Sequence, residues 1–181
     1  MNFRIVDKSE NKTKNDYFLE MLAELLAWGL KPAMVTGDSW YSCAKNLKAI
    51  RNNSLGLLFA IKSNRTVSIE KGTWQQVQTL QIPEDGLVVW LKEYGNVKLF
   101  RTLLKNQPRH YVVYLPDEEK LSLFDRAAFD LEHDKHWQIE QYHRAIKQLC
   151  HIETTKCATS RQQRIICLPP FMVSFNYKNL Q

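Results

Sequence analysis

Nowhere in the 181 residues does an apolar run reach the ~18–20 residues needed to cross a bilayer, which excludes a membrane-spanning helix. No charged-then-apolar pattern opens the chain, so no secretory signal is expected. Cysteine is scarce. Cys43, Cys150, Cys157 and Cys167 form neither a Cys-x2-Cys pair nor a disulfide ladder, and they read as reduced thiols of a cytosolic protein. Internal repeats and low-complexity tracts are also missing. What remains is a globular chain, 44% hydrophobic, of a length that suits one domain with room for a smaller inserted one. Lys and Arg outnumber Asp and Glu by 25 to 19, giving a net charge of +6. That balance favours a polyanionic partner without proving one.

The organising stretch is residues 33–41, Ala-Met-Val-Thr-Gly-Asp-Ser-Trp-Tyr. It predicts a short buried strand delivering one acid, Asp38, to its carboxyl end, with Gly37 letting the backbone turn tightly. Upstream, residues 1–7 form a β-like run. Apolar Phe18, Met21, Leu22, Leu25 and Leu26 then give a helix over 15–28, capped by Asn15 or Asp16 and stopped by Gly29 and Pro32. A second helix is expected at 44–52 with Leu47 and Ile50 inward, followed by a buried strand at 55–61. From Lys62 onward the pattern becomes β-rich, at 66–69, 86–94, 97–104 and 111–115, with a hairpin turn at Tyr94-Gly95-Asn96. Helical patterning returns at 121–131 and 134–150. This order, α/β then antiparallel β then helix, is what an all-β insertion within an α/β fold produces.

In the last helix His133, His136, Glu140, His143 and Lys147 share one face at about 100° per residue, beside an apolar stripe of Ile139, Tyr142, Ile146 and Leu149. Periodicity alone allows an ordinary solvated amphipathic helix. It also allows a zinc site from His136, Glu140 and His143, although the order of a metalloprotease helix is absent.

Four segments carry a resemblance: Gly-Asp-Ser-Trp-Tyr-Ser at 37–42, Leu-Lys-Ala-Ile-Arg at 47–51, Lys-Ser-Asn-Arg at 62–65 and Trp-Gln-Ile-Glu-Gln-Tyr-His-Arg-Ala-Ile-Lys-Gln at 137–148. Together they resemble a DDE-type insertion-sequence transposase, in the subgroup with a Tyr-x2-Arg-x3-Glu-x6-Lys signature and a β-strand insertion. The resemblance implies an RNase H-like catalytic fold over 1–165, incomplete at its N-terminus, with a β insertion at about 62–120 before the catalytic helix and a tail at 166–181 outside the pattern.

The same resemblance implies Mg²⁺-dependent DNA cleavage and joining, with Mn²⁺ as a substitute metal. Asp38 matches the second acid of the triad, Glu140 the third and Lys147 the signature Lys. His133 and His136 stand at the Tyr and Arg positions. Lys62, Arg65, Arg144, Lys156, Arg161 and Arg164 are candidate phosphate contacts, and Trp90, then Trp74, candidate stacking residues for a displaced base; each also has an ordinary structural or surface reading. The family's first Asp has no counterpart here, because residues 1–7 resemble a later strand and Asp7 sits on the wrong segment. The chain alone is therefore expected to cleave poorly or to be a non-catalytic DNA-binding remnant. The implied partners are transposon ends and target DNA, bound as a homodimer, in the bacterial cytoplasm at the nucleoid.

Overall fold

The computed structural model describes residues 10–70 and 72–150, with His136, Trp137, Ile139, Glu140, Tyr142, His143, Ile146, Lys147, Leu149 and Cys150 described in backbone only. The expected strand at 1–7 and everything after Cys150 lie outside the described residues. Helix α1 spans Lys14–Ala27. Its cap is Thr13, not Asn15 or Asp16: the Thr13 hydroxyl accepts the Asp16 amide at 3.3 Å, and the Asp16 carboxylate accepts the Thr13 amide at 2.9 Å. That reciprocal box satisfies the Thr13 amide and gives the Asp16 amide a second acceptor beside the Thr13 carbonyl at 3.0 Å. Asp16 also takes Lys45 at 3.2 Å, and these hydrogen bonds, the Thr13 hydroxyl's first, hold its carboxyl down at about 2. Gly29, at φ 77°, ends the helix.

Strand β1 (Met34–Gly37), helix α2 (Ala44–Asn52) and strand β2 (Gly56–Ile61) form a parallel crossover, with Gly37 beside Phe59. Strands β3 (Thr66–Ser68), β4 (Trp74–Gln76), β5 (Leu87–Leu91), β6 (Gly95–Leu104) and β7 (Gln107–Tyr114) complete one seven-stranded sheet in the order β1-β2-β7-β6-β5-β3-β4. All pairings except β1 with β2 are antiparallel. The β-rich middle therefore builds onto β2 instead of forming a sheet of its own. The molecule is a mixed α/β protein. One face of the sheet buries Leu57, Phe59, Val89, Leu99 and Val112 with Leu22, Leu47 and Ile50 of α1 and α2. The other buries Leu58, Phe100 and Val113 under α3 (Glu118–Leu123) and the start of α4 (Arg126–Cys150), through Leu121, Phe124 and Phe129.

Several local expectations change. The β5–β6 turn is Lys92-Glu93-Tyr94, with Glu93 at φ 68°, so Gly95 already belongs to β6 and pairs with Leu91. The short strand β4 had no signal. The helix expected over 121–131 is broken: α3 ends at Leu123, the ring of the next residue, Phe124, turns inward against Phe100, and α4 starts afresh at Arg126 with Asp125 accepting the Ala128 amide at 2.9 Å. From there α4 runs unbroken past Asp134.

Gly37 is not a turn residue. Its φ lies outside the left-handed range, and a Cβ there would sit 2.3 Å from Phe59 Cε1. The missing side chain makes room for the Phe59 ring. Gly→Ala at a permissive strand position gains about 0.4–1 kcal/mol from the unfolded chain. Overpacking a filled site loses about 1–3 kcal/mol, and here the clash is with a fully buried ring, so the loss wins. Gly37→Ala is expected to destabilise the protein by about 1–2 kcal/mol in urea unfolding, and by less in a Phe59→Leu background, where the smaller side chain leaves room for the Cβ. A stabilised Gly37→Ala would show that the ring does not hold this position.

Candidate active-site edge and nucleic-acid interface

Asp38 leaves the carboxyl end of β1 and is exposed, while β1 itself is only half-buried, in contrast to the buried strand expected. The turn after it is tightly bonded. Asp38 Oδ1 accepts the Trp40 amide at 2.8 Å, and the Asp38 carbonyl accepts the Tyr41 amide at 3.2 Å. Ser42 Oγ donates to the Ser39 carbonyl at 3.0 Å. Below the turn lies Asn46, a fully buried polar residue of α2. Its Nδ2 donates to the Tyr41 carbonyl at 3.1 Å and to Asn15 Oδ1 at 2.8 Å, joining turn, α2 and α1. Aromatic packing continues the support: Phe18 stacks on Tyr41 at 5.5 Å and meets Phe59 edge-on at 6.2 Å. Burial first, and the nearby Asp38 charge second, push the Tyr41 hydroxyl above its ordinary pKa.

One carboxylate oxygen of Asp38 is thus committed to the backbone. Oδ2 has no partner among the described residues and points the chemistry toward a hard cation, which takes oxygen ligands. Among the described residues no three His, Cys, Asp or Glu side chains are grouped to hold a metal ion. The acid paired with Asp38 on sequence grounds, Glu140, lies on α4 and its side chain is outside the described residues, as are those of His136 and Lys147. The zinc alternative, through His136, Glu140 and His143, falls there too. The contacts of α4 that are described step across the sheet. Arg126 donates to the Arg101 carbonyl on β6 at 3.0 Å, Phe129 stacks on Phe100 of β6 at 4.5 Å, and His133 meets Tyr111 of β7 at 4.9 Å. The described contacts of α4 thus pass from β6 to β7. His133 also stacks on Phe129 at 5.4 Å, so its ring packs in an aromatic cluster. Arg144 is exposed on the same helix.

Lys62 and Arg65 close the turn after β2, Arg65 donating its amide to the Lys62 carbonyl at 3.0 Å. β1 and β2 are parallel neighbours, so this turn follows β2 at the same end of the sheet where Asp38 follows β1. Lys62 is exposed and Arg65 half-buried. Two residues that sequence reasoning had left out join them. Trp40 is 71% exposed, and Lys14 stands over its ring at 5.4 Å. A large indole left in solvent two residues from an exposed acid was the available signal.

Trp74 and Trp90 lie apart from this edge. Both pair in register with Ser68, one from each side, and so stand on one face about 10 Å apart with a small residue between. They wall a cavity of about 470 Å³ lined also by Ile69, Glu70, Val88 and Asn96. The indoles are 47% and 51% exposed. Ser68 closes the floor by donating to the Glu70 carbonyl.

Over residues 2–168 the sequence matches a family described as Transposase DDE domain. No curated protein matches the chain. No solved structure does either. The turn's geometry generates its own expectation. Asn46→Ala removes both bonds and leaves Asn15 and the Tyr41 carbonyl unpaired, a loss of about 1–3 kcal/mol in denaturant unfolding. Amide exchange at Trp40 to Ser42 should accelerate with it. Unchanged stability and exchange would show that the turn stands without α2.

Proposed function

The chain belongs to the DDE transposase family, whose domain carries out DNA transposition, and on that premise we propose that Asp38 and Glu140 act together in cutting and joining DNA at insertion-sequence ends. The observation that carries this is the build of the Asp38 turn. Its carboxylate is held at a strand end by an amide, a buried Asn and an aromatic column, yet keeps one oxygen toward solvent. The passage of α4 from β6 to β7, the neighbour of β2, is compatible with Glu140 as its partner.

Mg²⁺, with Mn²⁺ as substitute, is the ion such oxygen donors fit, and when bound it activates an attacking hydroxyl and stabilises the leaving oxygen. Asp38 and Glu140 would hold it. Lys62 and Arg65, beside Asp38, and Arg144 with Lys147 and His136 on α4 would take phosphates and fix the register of the strand to be cut. His133 serves mainly by packing α4 onto Tyr111 and Phe129. Trp90 and Trp74 would supply a stacking slot, their indoles leaning in from positions about 10 Å apart to the roughly 7–8 Å that a base between two rings takes. An RNase H-like core carrying the β region as an insertion, and a homodimer on DNA, complete the reading. Among the described residues no helix is long and apolar enough to cross a membrane.

Two carboxylates hold a single ion, where two-metal cleavage needs a pair of ions. Weak cleavage is therefore the expectation, and a DNA-binding chain without cleavage the second reading. A supercoiled plasmid assay decides. With Mg²⁺ or Mn²⁺ the chain is expected to nick slowly, and Asp38→Asn and Glu140→Gln each to abolish nicking while retaining DNA binding. Binding without any nicking establishes the second reading. Nicking that survives both substitutions refutes the assignment of the acids.

A further inference from the structure

The β6–β7 hairpin outgrows its sheet. β5 supports β6 only as far as Leu99, and β2 supports β7 only from His110 onward. Among the described residues, 102–109 pair only with each other, Thr102 with Arg109, Leu103 with Pro108 and Leu104 with Gln107. Lys105 and Asn106, at φ 50° and 62°, close them with the two left-handed residues that a tight hairpin turn requires. The result is a two-stranded ribbon that extends past its neighbours among the described residues. Its tip is apolar: Leu103 is 64% and Leu104 50% exposed, on opposite faces, with Pro108 across from Leu103.

Charge surrounds that tip. Arg101 lies on the Leu103 face, Arg109 on the Leu104 face and Lys105 in the turn, and all three are exposed. No acid occurs between Glu93 and Asp117. Among the described residues no ion pair involves any of the three cations. Exposed leucines on a ribbon invite self-association, and the unopposed cations on both faces discourage it. The same combination suits a DNA groove: an apolar wedge between base steps, with a cation toward each phosphate backbone.

Position completes the argument. β2 ends at Ile61 beside His110, so the ribbon leaves the sheet at the end where Lys62 and Asp38 stand. Counting along β6 and across three strand spacings puts the tip roughly 20 Å from Asp38. At ~3.4 Å per base pair this is about half a helical turn of the same duplex.

We propose that the β6–β7 ribbon is a DNA-bending wedge, Leu103, Leu104 and Pro108 entering the minor groove while Arg101, Lys105 and Arg109 neutralise the flanking phosphates. The inference rests on the reading that the Asp38 edge meets DNA. The kink lifts the duplex out of the path of the sheet and presents its backbone to that edge.

The test uses the full chain and a linear duplex of about 30 base pairs with donor and acceptor dyes at its ends, without divalent metal. The wild-type chain is expected to raise energy transfer at saturation. Leu103→Ser/Leu104→Ser, both exposed and so harmless to folding, should bind within about threefold, because phosphate contacts carry affinity, yet leave transfer at the free-DNA value. Arg101→Ala/Lys105→Ala/Arg109→Ala should lower the slope of log affinity against log salt by about 2–3. Binding without bending by the wild type, or full bending by the leucine variant, overturns the wedge and leaves the active-site reading intact. A leucine variant that dissociates a dimer and bends DNA normally makes the tip a protein contact instead. Absence of DNA binding overturns both. Bending is read without cleavage, so a failure of Asp38 or Glu140 to cut does not affect it.

Discussion

The Phe59 ring packed where Gly37 has no side chain is the contact on which the rest depends. It lets β1 and β2 pair side by side at the level where β1 ends and Asp38 begins. Phe18 then bridges Phe59 to Tyr41, so helix α1, strand β2 and the acid's own turn share one aromatic column. Burying such a ring contributes about 2–3 kcal/mol, more than any single hydrogen bond in the turn. The hydrogen bonds supply direction instead. The Trp40 amide and Asn46 set where the carboxylate points once the ring has set where it stands.

From that anchor the molecule divides its labour by sheet geography. One face buries an aliphatic core under α1 and α2. The opposite face carries α3 and α4, tied down by stacked Phe100, Phe129 and His133. Polar function collects where strands stop: Asp38 after β1, Lys62 and Arg65 after β2, and the ribbon beyond β6 and β7. The outer strands add the walled cavity at Trp74 and Trp90. This is a sensible layout for a protein acting on a long polyanion. Backbone contacts spread along an edge can position a duplex, while a few apolar groups deform it.

Much of this was legible in the chain because hydrophobic period and turn chemistry are local. Helix α2 was readable from Leu47 and Ile50 with outward lysines, and β2 from an uninterrupted apolar run. The strand ending at Asp38 was readable from Val35 and Thr36 before Gly37. What was hidden depended on neighbours distant in sequence. Asn46 reads as a solvated helix residue until Asn15 and Tyr41 are seen beside it. Gly37 reads as a turn former until Phe59 arrives from the next strand. The β6–β7 turn carries no glycine, since Lys105 and Asn106 adopt left-handed backbone themselves, so the strand start at Gln107 gave no signal. Pro108 argued against a strand there and is tolerated only because the ribbon has no outer partner at that point. The cap of α1 was misplaced by two or three residues because Thr13, Asn15 and Asp16 are all capping types, and only the reciprocal bonds choose among them.

The central claim is that Asp38 and Glu140, 102 residues apart in the chain, serve one ion. Paramagnetic broadening by Mn²⁺ in amide NMR spectra tests it most directly. The account predicts that substoichiometric Mn²⁺ broadens the amides around Asp38 and those around Glu140 together, and that Asp38→Asn removes the effect at both. Broadening confined to one segment, or persisting at Glu140 after Asp38→Asn, would contradict a shared site.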